Sequence, residues 1–274
     1  MDINGSVTVV TGASRGIGKV IAGELARRGA KVAVTARSEG DLKTVADSIG
    51  AVPVVADVAS EEDRRRIVQQ VESELGPIDV LVNNAGIESI RAFAEMPEDD
   101  IRDIVDVNLL STMLLTRLVM PGMLERGRGQ VVNIASVAGK AIAPWNSVYS
   151  ATKHALIGWT LSMRPELEGT GVGASVVCPA FVAREGLFSR WGDEKKGKRS
   201  GAFTTPEKVA TAVVRCIEHD IPEIVSSTPI GKISDVALAI SPRIVYTLGK
   251  RNPAMGMFKQ ESEKRKAEGR SRTE

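Results

Sequence analysis

The chain has 274 residues, 43% of them hydrophobic and 26% charged, the size and balance of one large α/β domain with a continuous core. Its net charge of +2 sets up no broad field for nucleic acid or an anionic membrane. Cys178 and Cys216 lie far apart without metal-ligand spacing, and read as reduced, buried thiols of a soluble cytoplasmic protein. Met1 to Gly5 show no cationic-then-apolar leader pattern. The uncharged run Gly171 to Ala183 contains Pro179 and is too short to span a bilayer.

Apolar strands alternate with helical patterns, beginning with Ser6–Val10. That strand empties into Thr11-Gly12-Ala13-Ser14-Arg15-Gly16-Ile17-Gly18. Glycines are needed where backbone turns sharply and where a pyrophosphate meets backbone N–H groups. The helix that follows offers its positive N-terminus to such an anion. Between a first strand and a first helix, this cluster predicts nucleotide binding. Ile17, Val20, Ile21 and Leu25 form one stripe of that helix. Arg27 and Arg28 complement its C-terminal dipole, and Gly29 can take a left-handed cap.

The second strand, Lys31–Ala36, ends at Arg37. An acidic residue there would receive a ribose diol, whereas an arginine accommodates a 2′-phosphate. With Arg15 in the glycine turn, two guanidinium groups and no acid predict NADP(H) over NAD(H). Ser38 with Asp41, and Ser60 with Asp63, mark the next two helix starts. After the third strand, Val52–Val55, Asp57 can accept from an adenine amino group or cap a turn. Val80–Asn83, Gln130–Ile134, Ala174–Cys178 and Glu223–Ser227 complete seven short strands, and Thr205-Pro206-Glu207 opens a late helix. Such alternation implies parallel pairing through right-handed crossovers. The result is a doubly wound sheet that binds ligands beyond the carboxyl ends of its strands.

Tyr149-Ser150-Ala151-Thr152-Lys153 puts a phenol and an ammonium on one helix face, a turn apart. A free tyrosine titrates near ~10, and a fixed cation beside it is expected to lower that value. Ser136, in Asn133-Ile134-Ala135-Ser136-Val137-Ala138-Gly139, could hold a substrate oxygen. The three residues suit reversible proton transfer to and from an alcohol or carbonyl oxygen.

Several motifs in a fixed order carry a family resemblance: the Thr11–Gly18 glycine turn, Asp57-Val58, Asn83-Asn84-Ala85-Gly86, Asn108, Ser136, Tyr149-x-x-x-Lys153 and Pro179. Over about residues 5–230 the chain resembles the short-chain dehydrogenase/reductases. The resemblance implies a Rossmann-type seven-stranded α/β domain over 1–230, with a C-terminal helical extension and charged tail over 231–274. It implies that Tyr149 is the general acid or base and that Ser136 binds the substrate oxygen. Lys153 would depress the tyrosine pKa and hold the nicotinamide ribose, and Asn108 would anchor a water in a proton relay. NADP(H) would contact Gly12, Ser14, Arg15, Gly16, Ile17, Gly18, Arg37, Asp57, Val58, Asn84, Ala85, Gly86, Tyr149, Lys153, Pro179 and Val182. Two positions depart from the family pattern: Ala180 replaces a glycine and Arg184 a threonine.

The polar stretch Glu185 to Phe203, with Leu187, Phe188 and Trp191, is expected to form a lid. Ala141-Ile142-Ala143-Pro144-Trp145 should form another pocket wall, so a hydrophobic ketone or alcohol is the expected substrate, with reduction the favoured direction. The amphipathic pieces Ile233–Ile240 and Ile244–Leu248 would cover the pocket, pack on another subunit or lie on a membrane surface, the last least favoured. The tail Lys259 to Glu274 reads as a frayed, solvated segment. The family's habit of pairing the helices that carry Asn108 and Tyr149 predicts a homodimer or homotetramer. The competing reading is an NADP(H)-binding regulator or scaffold that has lost catalysis.

Overall fold

The structure, a computed structural model, describes residues 1–182, 203–227 and 253–268. Runs such as Val7–Thr11 and Val80–Asn83 have no polar face and must be covered on both sides. They form the centre of a parallel sheet with β1 (Val7–Thr11), β2 (Lys31–Ala36), β3 (Val52–Val55), β4 (Val80–Asn83), β5 (Gly129–Ile134), β6 (Val172–Pro179) and β9 (Glu223–Ser226). The strand order is β3-β2-β1-β4-β5-β6-β9, and every pairing is parallel. A separate short pair joins β7 (Phe181–Val182) to β8 (Phe203–Thr204). The seven-stranded doubly wound expectation holds, and expected strand ends move by a residue or two. Strand β1 starts one residue later than Ser6, and β6 runs well past Ala174–Cys178 at its start.

Period-two alternation feeds two cores. Val10, Val82 and Val132 face one side of the sheet and pack with Ile21 and Leu25 of α1 (Gly16–Arg27). Val213 and Ile217 of α7 (Pro206–His219) join the same side. Val9, Leu81 and Val131 face the other side, with Ile67 and Val71 of α3 (Glu61–Glu74). Leu115 and Met123 of α5 (Ser111–Glu125) complete that layer. The remaining helices of the body are α2 (Glu39–Ile49), α4 (Glu98–Val105) and α6 (Ser147–Leu167).

Local capping follows the sequence with one exception. Ser60 accepts from the Asp63 amide at 3.3 Å, Thr205 accepts from the Lys208 amide at 3.4 Å, and Gly29 has φ +86°. Ser38 stands at the N-cap of α2, but its hydroxyl donates to the Asp41 carboxylate at 2.9 Å instead of capping backbone. An exposed acid three residues on outcompetes the amide for the hydroxyl.

The helical run Glu98–Glu125 is long and apolar enough to cross a membrane on length and composition alone. Here Ile104, Leu115 and Met123 from that run are fully buried inside the protein. The run is broken by a π-helical turn at Asp106–Leu110.

Up to residue 268 the charged C-terminal segment is helical and not frayed, and residues 269–274 lie outside the described residues. Helix α8 (Pro253–Ala267) buries Phe258, Glu261, Ser262 and Arg265. Their i, i+3, i+4, i+7 spacing makes one continuous face. Phe258 packs with Ile90, Trp145, Phe181 and Phe203, its ring centroid 6.0 Å from that of Phe181. Arg184, the lid residues Leu187, Phe188 and Trp191, and the pieces Ile233–Ile240 and Ile244–Leu248 lie outside the described residues.

Candidate active site

Parallel strands put all their carboxyl ends on one edge, so the loops that leave them converge. The glycine turn follows β1, Arg37 follows β2, Asp57 and Val58 follow β3, and Asn84–Gly86 follow β4. Ser136 follows β5, while Pro179 ends β6 and Val182 lies just beyond it. Strand order reverses between β1 and β4, where doubly wound sheets leave a crevice.

The glycine turn is built against the Asn84 loop. Thr11 Oγ1 accepts from the amides of Asn84 and Ala85 at 3.0 Å each. Asn84 Nδ2 donates to the carbonyls of Thr11 and Gly12 at 2.9 and 3.1 Å. Gly12 and Gly16 have φ +64° and +61°, a region that side chains with a Cβ avoid. A Cβ on Gly12 would lie 2.8 Å from Ala85 Cα. Helix α1 begins at Arg15 with no side-chain cap and no acid in its first turn. Its leading N–H groups and positive dipole end therefore suit an anion. These are the features a dinucleotide pyrophosphate requires, and the residues present fit that group.

At the adenosine end, Arg15 and Arg37 are both exposed. Arg37 Nη1 lies 3.9 Å from Asp57 Oδ2, and Asp57 Oδ1 accepts from the Ala59 amide at 2.9 Å. Asp57 is thus already a turn residue, and it faces Arg37.

Below the turn, Asn83 Nδ2 donates to Asn133 Oδ1 at 2.9 Å and to Thr116 Oγ1 at 3.1 Å. Asn133 Nδ2 donates to Thr160 Oγ1 at 2.8 Å. The two asparagines are register partners on β4 and β5, so this buried ladder ties the sheet to α5 and α6.

Ser136, Tyr149 and Lys153 meet above β5. Ser136 caps the short 3-10 turn Val137–Gly139 by accepting from the Ala138 amide at 3.1 Å, and its hydroxyl acts on the Tyr149 phenol, favouring the phenolate. Lys153 Nζ donates to the Ile134 carbonyl at 2.9 Å and lies 5.5 Å from the Tyr149 ring centroid. Asn108, in the π-helical turn, is fully buried. Its Oδ1 accepts from the Ile87 amide at 2.8 Å, and its Nδ2 donates to the Ile87 carbonyl at 2.9 Å and Thr152 Oγ1 at 3.3 Å. Both N–H donors of the side chain are therefore committed to protein. A Cβ on Gly86 would lie 3.3 Å from Asn108 Oδ1 and 3.6 Å from Lys153 Nζ, so Gly86, Asn108 and Lys153 converge.

One electrostatic expectation is overturned. The phenol of Tyr149 is pushed up above its ordinary value: burial is the main cause, the charge of Glu88 adds to it, and the Ser136 hydrogen bond opposes it. Lys153 does not offset this, because burial pulls its own ammonium down to about 8 from the usual 10.5. Without a bound cofactor, desolvation outweighs the attraction of the cation. A stability consequence follows from Lys153. The unfolded chain keeps its proton up to about 10.5 while the folded chain releases it near 8, so the unfolded state binds more protons between these values. Stability of the cofactor-free protein should rise as pH climbs from about 8 towards 10. Urea unfolding across this range should show the rise in the wild type and lose it in Lys153→Met; a flat wild-type profile would contradict the assignment.

The substituted Ala180 is accommodated. It is not among the residues with positive φ, and its amide donates to the Ser226 carbonyl at 3.0 Å. The sequence reading missed Glu88 and Asn146, both buried beside Tyr149, and Arg265. Its available signal was an acid placed directly after the apolar Gly86-Ile87 step. Next to α6, an apolar groove of about 250 Å³ is lined by Ala92, Phe93, Pro144, Trp145 and Ser147. The expected wall Ala141–Trp145 supplies two of these residues.

A family model described as short chain dehydrogenase matches residues 6–194. The ketoacyl reductase HetN of Nostoc sp. is 43% identical over 234 residues, 83% of this chain and 81% of its own. The 3-oxoacyl-[acyl-carrier-protein] reductase FabG of Escherichia coli is 34% identical over 222 residues, 78% of this chain and 90% of its own. Among solved structures, the 3-ketoacyl-(acyl-carrier-protein) reductase of Brucella melitensis complexed with NADH superposes with a TM-score of 0.78 at 27% identity, covering 82% of this chain and 98% of that one. A variant actinorhodin polyketide ketoreductase with NADPH gives 0.76 at 31% identity, covering 82% and 97%.

Proposed function

The chain belongs to the short chain dehydrogenase family, and on that premise we propose that it is an NADPH-dependent reductase of 3-oxoacyl groups carried as thioesters. The observation that carries this reading is the convergence of Ser136, Tyr149 and Lys153 beside an uncapped glycine turn. Gly12, Gly16 and Gly18 would let pyrophosphate approach the backbone, flanked by Ser14, Arg15 and Ile17. Arg37 would take the 2′-phosphate, and Asp57 and Val58 would flank the adenine. Asn84, Ala85, Gly86, Pro179 and Val182 would line the nicotinamide half.

When bound, NADPH supplies the hydride that reduces the carbonyl carbon. Ser136 donates to the ketone oxygen and orients it. Tyr149 gives its proton to that oxygen, so the C=O bond becomes a CH–OH and a phenolate remains. The high proton affinity of half-buried Tyr149 keeps it an acid before reaction, which suits reduction. An alkoxide is a much stronger base than a phenolate, so the transfer still runs downhill. Lys153, charged below about pH 8, stabilises the phenolate and lies on the path by which it regains a proton. Asn108 acts through Ile87 and Gly86, holding that turn against Lys153. Any relay water would lie beyond the Asn108 N–H donors, which are already used.

The groove beside Trp145 is apolar, as an acyl chain requires. The names of the similar proteins point to a 3-oxoacyl or polyketide ketone. Comparing kcat/KM for a 3-oxoacyl thioester with a simple cyclic ketone tests the reading. The thioester should lead by at least about tenfold; turnover of the cyclic ketone alone would overturn it. Exposed Val105, Leu110 and Leu124 leave an apolar face on the 98–125 run for a second copy, in keeping with a homo-oligomer. The two buried cysteines, which are not joined in a disulfide, suit a reducing, cytoplasmic setting.

Arg37→Ala should weaken NADPH binding by about 10- to 100-fold, the loss of a hydrogen bond to a charged group, and leave NADH affinity nearly unchanged. Fluorescence titration with both cofactors measures this; equal losses would remove the 2′-phosphate role.

A further inference from the structure

Glu88 is 4% exposed and sits two residues beyond Gly86, in the loop leaving β4. Its Oε2 accepts from Asn146 Nδ2 at 3.1 Å, and its Oε1 lies 3.8 Å from Arg265 Nη2. Asn146 precedes α6 by one residue and Tyr149 by three. Arg265 belongs to α8, is 5% exposed, and donates from Nε to Glu261 Oε1 at 2.8 Å. Its Nη1 and Asn146 Oδ1 have no hydrogen-bond partner among the described residues. The neighbouring Lys266 pairs with Glu95 at 2.7 Å, and Phe258 fills the apolar cluster around Ile90 and Trp145. Helix α8 is thus fastened to both loops that carry the site, the one after β4 and the one before α6.

A buried ion pair is a poor device for stability alone, since apolar residues of similar size fasten a helix as well or better. Its location decides what it does. We propose that Glu88, Asn146 and Arg265 form a charge-compensated bracket through which helix α8 positions Tyr149, making the C-terminal segment part of the active site. The proposal rests on the reductase reading of Tyr149. Glu88 is the buried acid whose charge acts on the Tyr149 phenol, and Arg265 opposes that charge from α8. Glu261 on α8 is engaged with Arg265. Asp100 of α4 accepts from Ser89 at 3.0 Å, Lys153 and Cys178 stand on the β5–β6 side of the phenol, and Lys266 is engaged with Glu95.

The test uses the full chain in four variants, Arg265→Gln, Arg265→Lys, Glu88→Gln and the Glu88→Gln/Arg265→Gln pair. The readout is the basic limb of the kcat–pH profile for ketone reduction. Arg265→Gln removes the positive charge that α8 sets against Glu88 and should move the limb up by about one pH unit. Glu88→Gln should move it down, while Arg265→Lys and the charge-neutral double variant should return it close to wild type. Lys153 is shifted by burial and Cys178 and not by Glu88, so a limb set by Lys153 would not follow these substitutions. If Arg265→Gln fails to fold, the downward shift in Glu88→Gln and its reversal in the double variant decide the question. A limb that stays fixed in folded variants, whatever happens to thermal stability, overturns the proposal and leaves α8 merely fastened. Tyr149→Phe and the wild type run beside them separate the two readings: no ketone reduction by the wild type defeats the reductase reading, and retained activity in Tyr149→Phe defeats the role of Tyr149 as proton donor, whatever Arg265 does.

Discussion

Tyr149→Phe should lower kcat for ketone reduction by about 10²- to 10⁴-fold, the usual contribution of a positioned general acid, while NADPH still binds. The substitution removes one oxygen from a packed site. Ser136 retains the Ala138 amide as a partner, and Lys153 retains the Ile134 carbonyl, so neither neighbour is stranded. The ring still packs with Ile104 and Val148. Loss of activity with unchanged thermal stability and unchanged cofactor affinity would place the effect on the proton. A variant that kept most of its kcat would mean that water or another group protonates the oxygen.

Gly18→Ala should raise the Kd for NADPH by about 10- to 100-fold and destabilise the fold by about 1–3 kcal/mol, as overpacking does. Gly18 does not have a positive φ, so the cost is one of space. A Cβ there would collide with the Gly12 carbonyl oxygen, lie 2.5 Å from Asn84 Nδ2 and lie 3.0 Å from Ala13 Cα. Two of these are backbone atoms. The third is the amide that locks the glycine turn to the β4 loop through Thr11 and Gly12. Relief requires the turn to move outward, which displaces the N–H groups at the start of α1. Gly40→Ala is the matched control. It lies in α2 with nothing within 4 Å of an added Cβ, and should be neutral or stabilising by about 0.5–1 kcal/mol. Denaturant melts and cofactor titration of both variants read the contrast. Unimpaired cofactor binding in Gly18→Ala would show that this turn is not the pyrophosphate seat.

Much of the fold was legible because the signals are local. Near-continuous Val and Ile runs placed every strand of the main sheet within a residue or two, and β2, β3 and β4 at their observed limits. The glycine turn, Ser136 and the Tyr149–Lys153 spacing were legible because loops at the carboxyl ends of parallel strands converge by topology. What failed depends on three-dimensional surroundings. The sign of the Tyr149 shift came out reversed because burial cannot be read from a four-residue spacing. The partners of the Asn108 amide, Ile87 and Thr152, could likewise not be read from the sequence. The α8 face was hidden because Glu261 and Arg265 look solvated in sequence and are buried only by pairing with each other and with Glu88. Ala180 departs from the family pattern, and only the structure shows that its backbone has no positive φ.

The most direct measurement follows the hydrogen itself. NADPH carrying deuterium at its transferable position is incubated with the protein and a 3-oxoacyl thioester, and the product is examined by mass spectrometry and NMR. The expected product is a 3-hydroxyacyl thioester with one deuterium on C3 and a solvent-derived proton on the oxygen, formed by the wild type and at most in trace by Tyr149→Phe. Cofactor bound without deuterium reaching C3, or label appearing at equal rate in Tyr149→Phe, would contradict it.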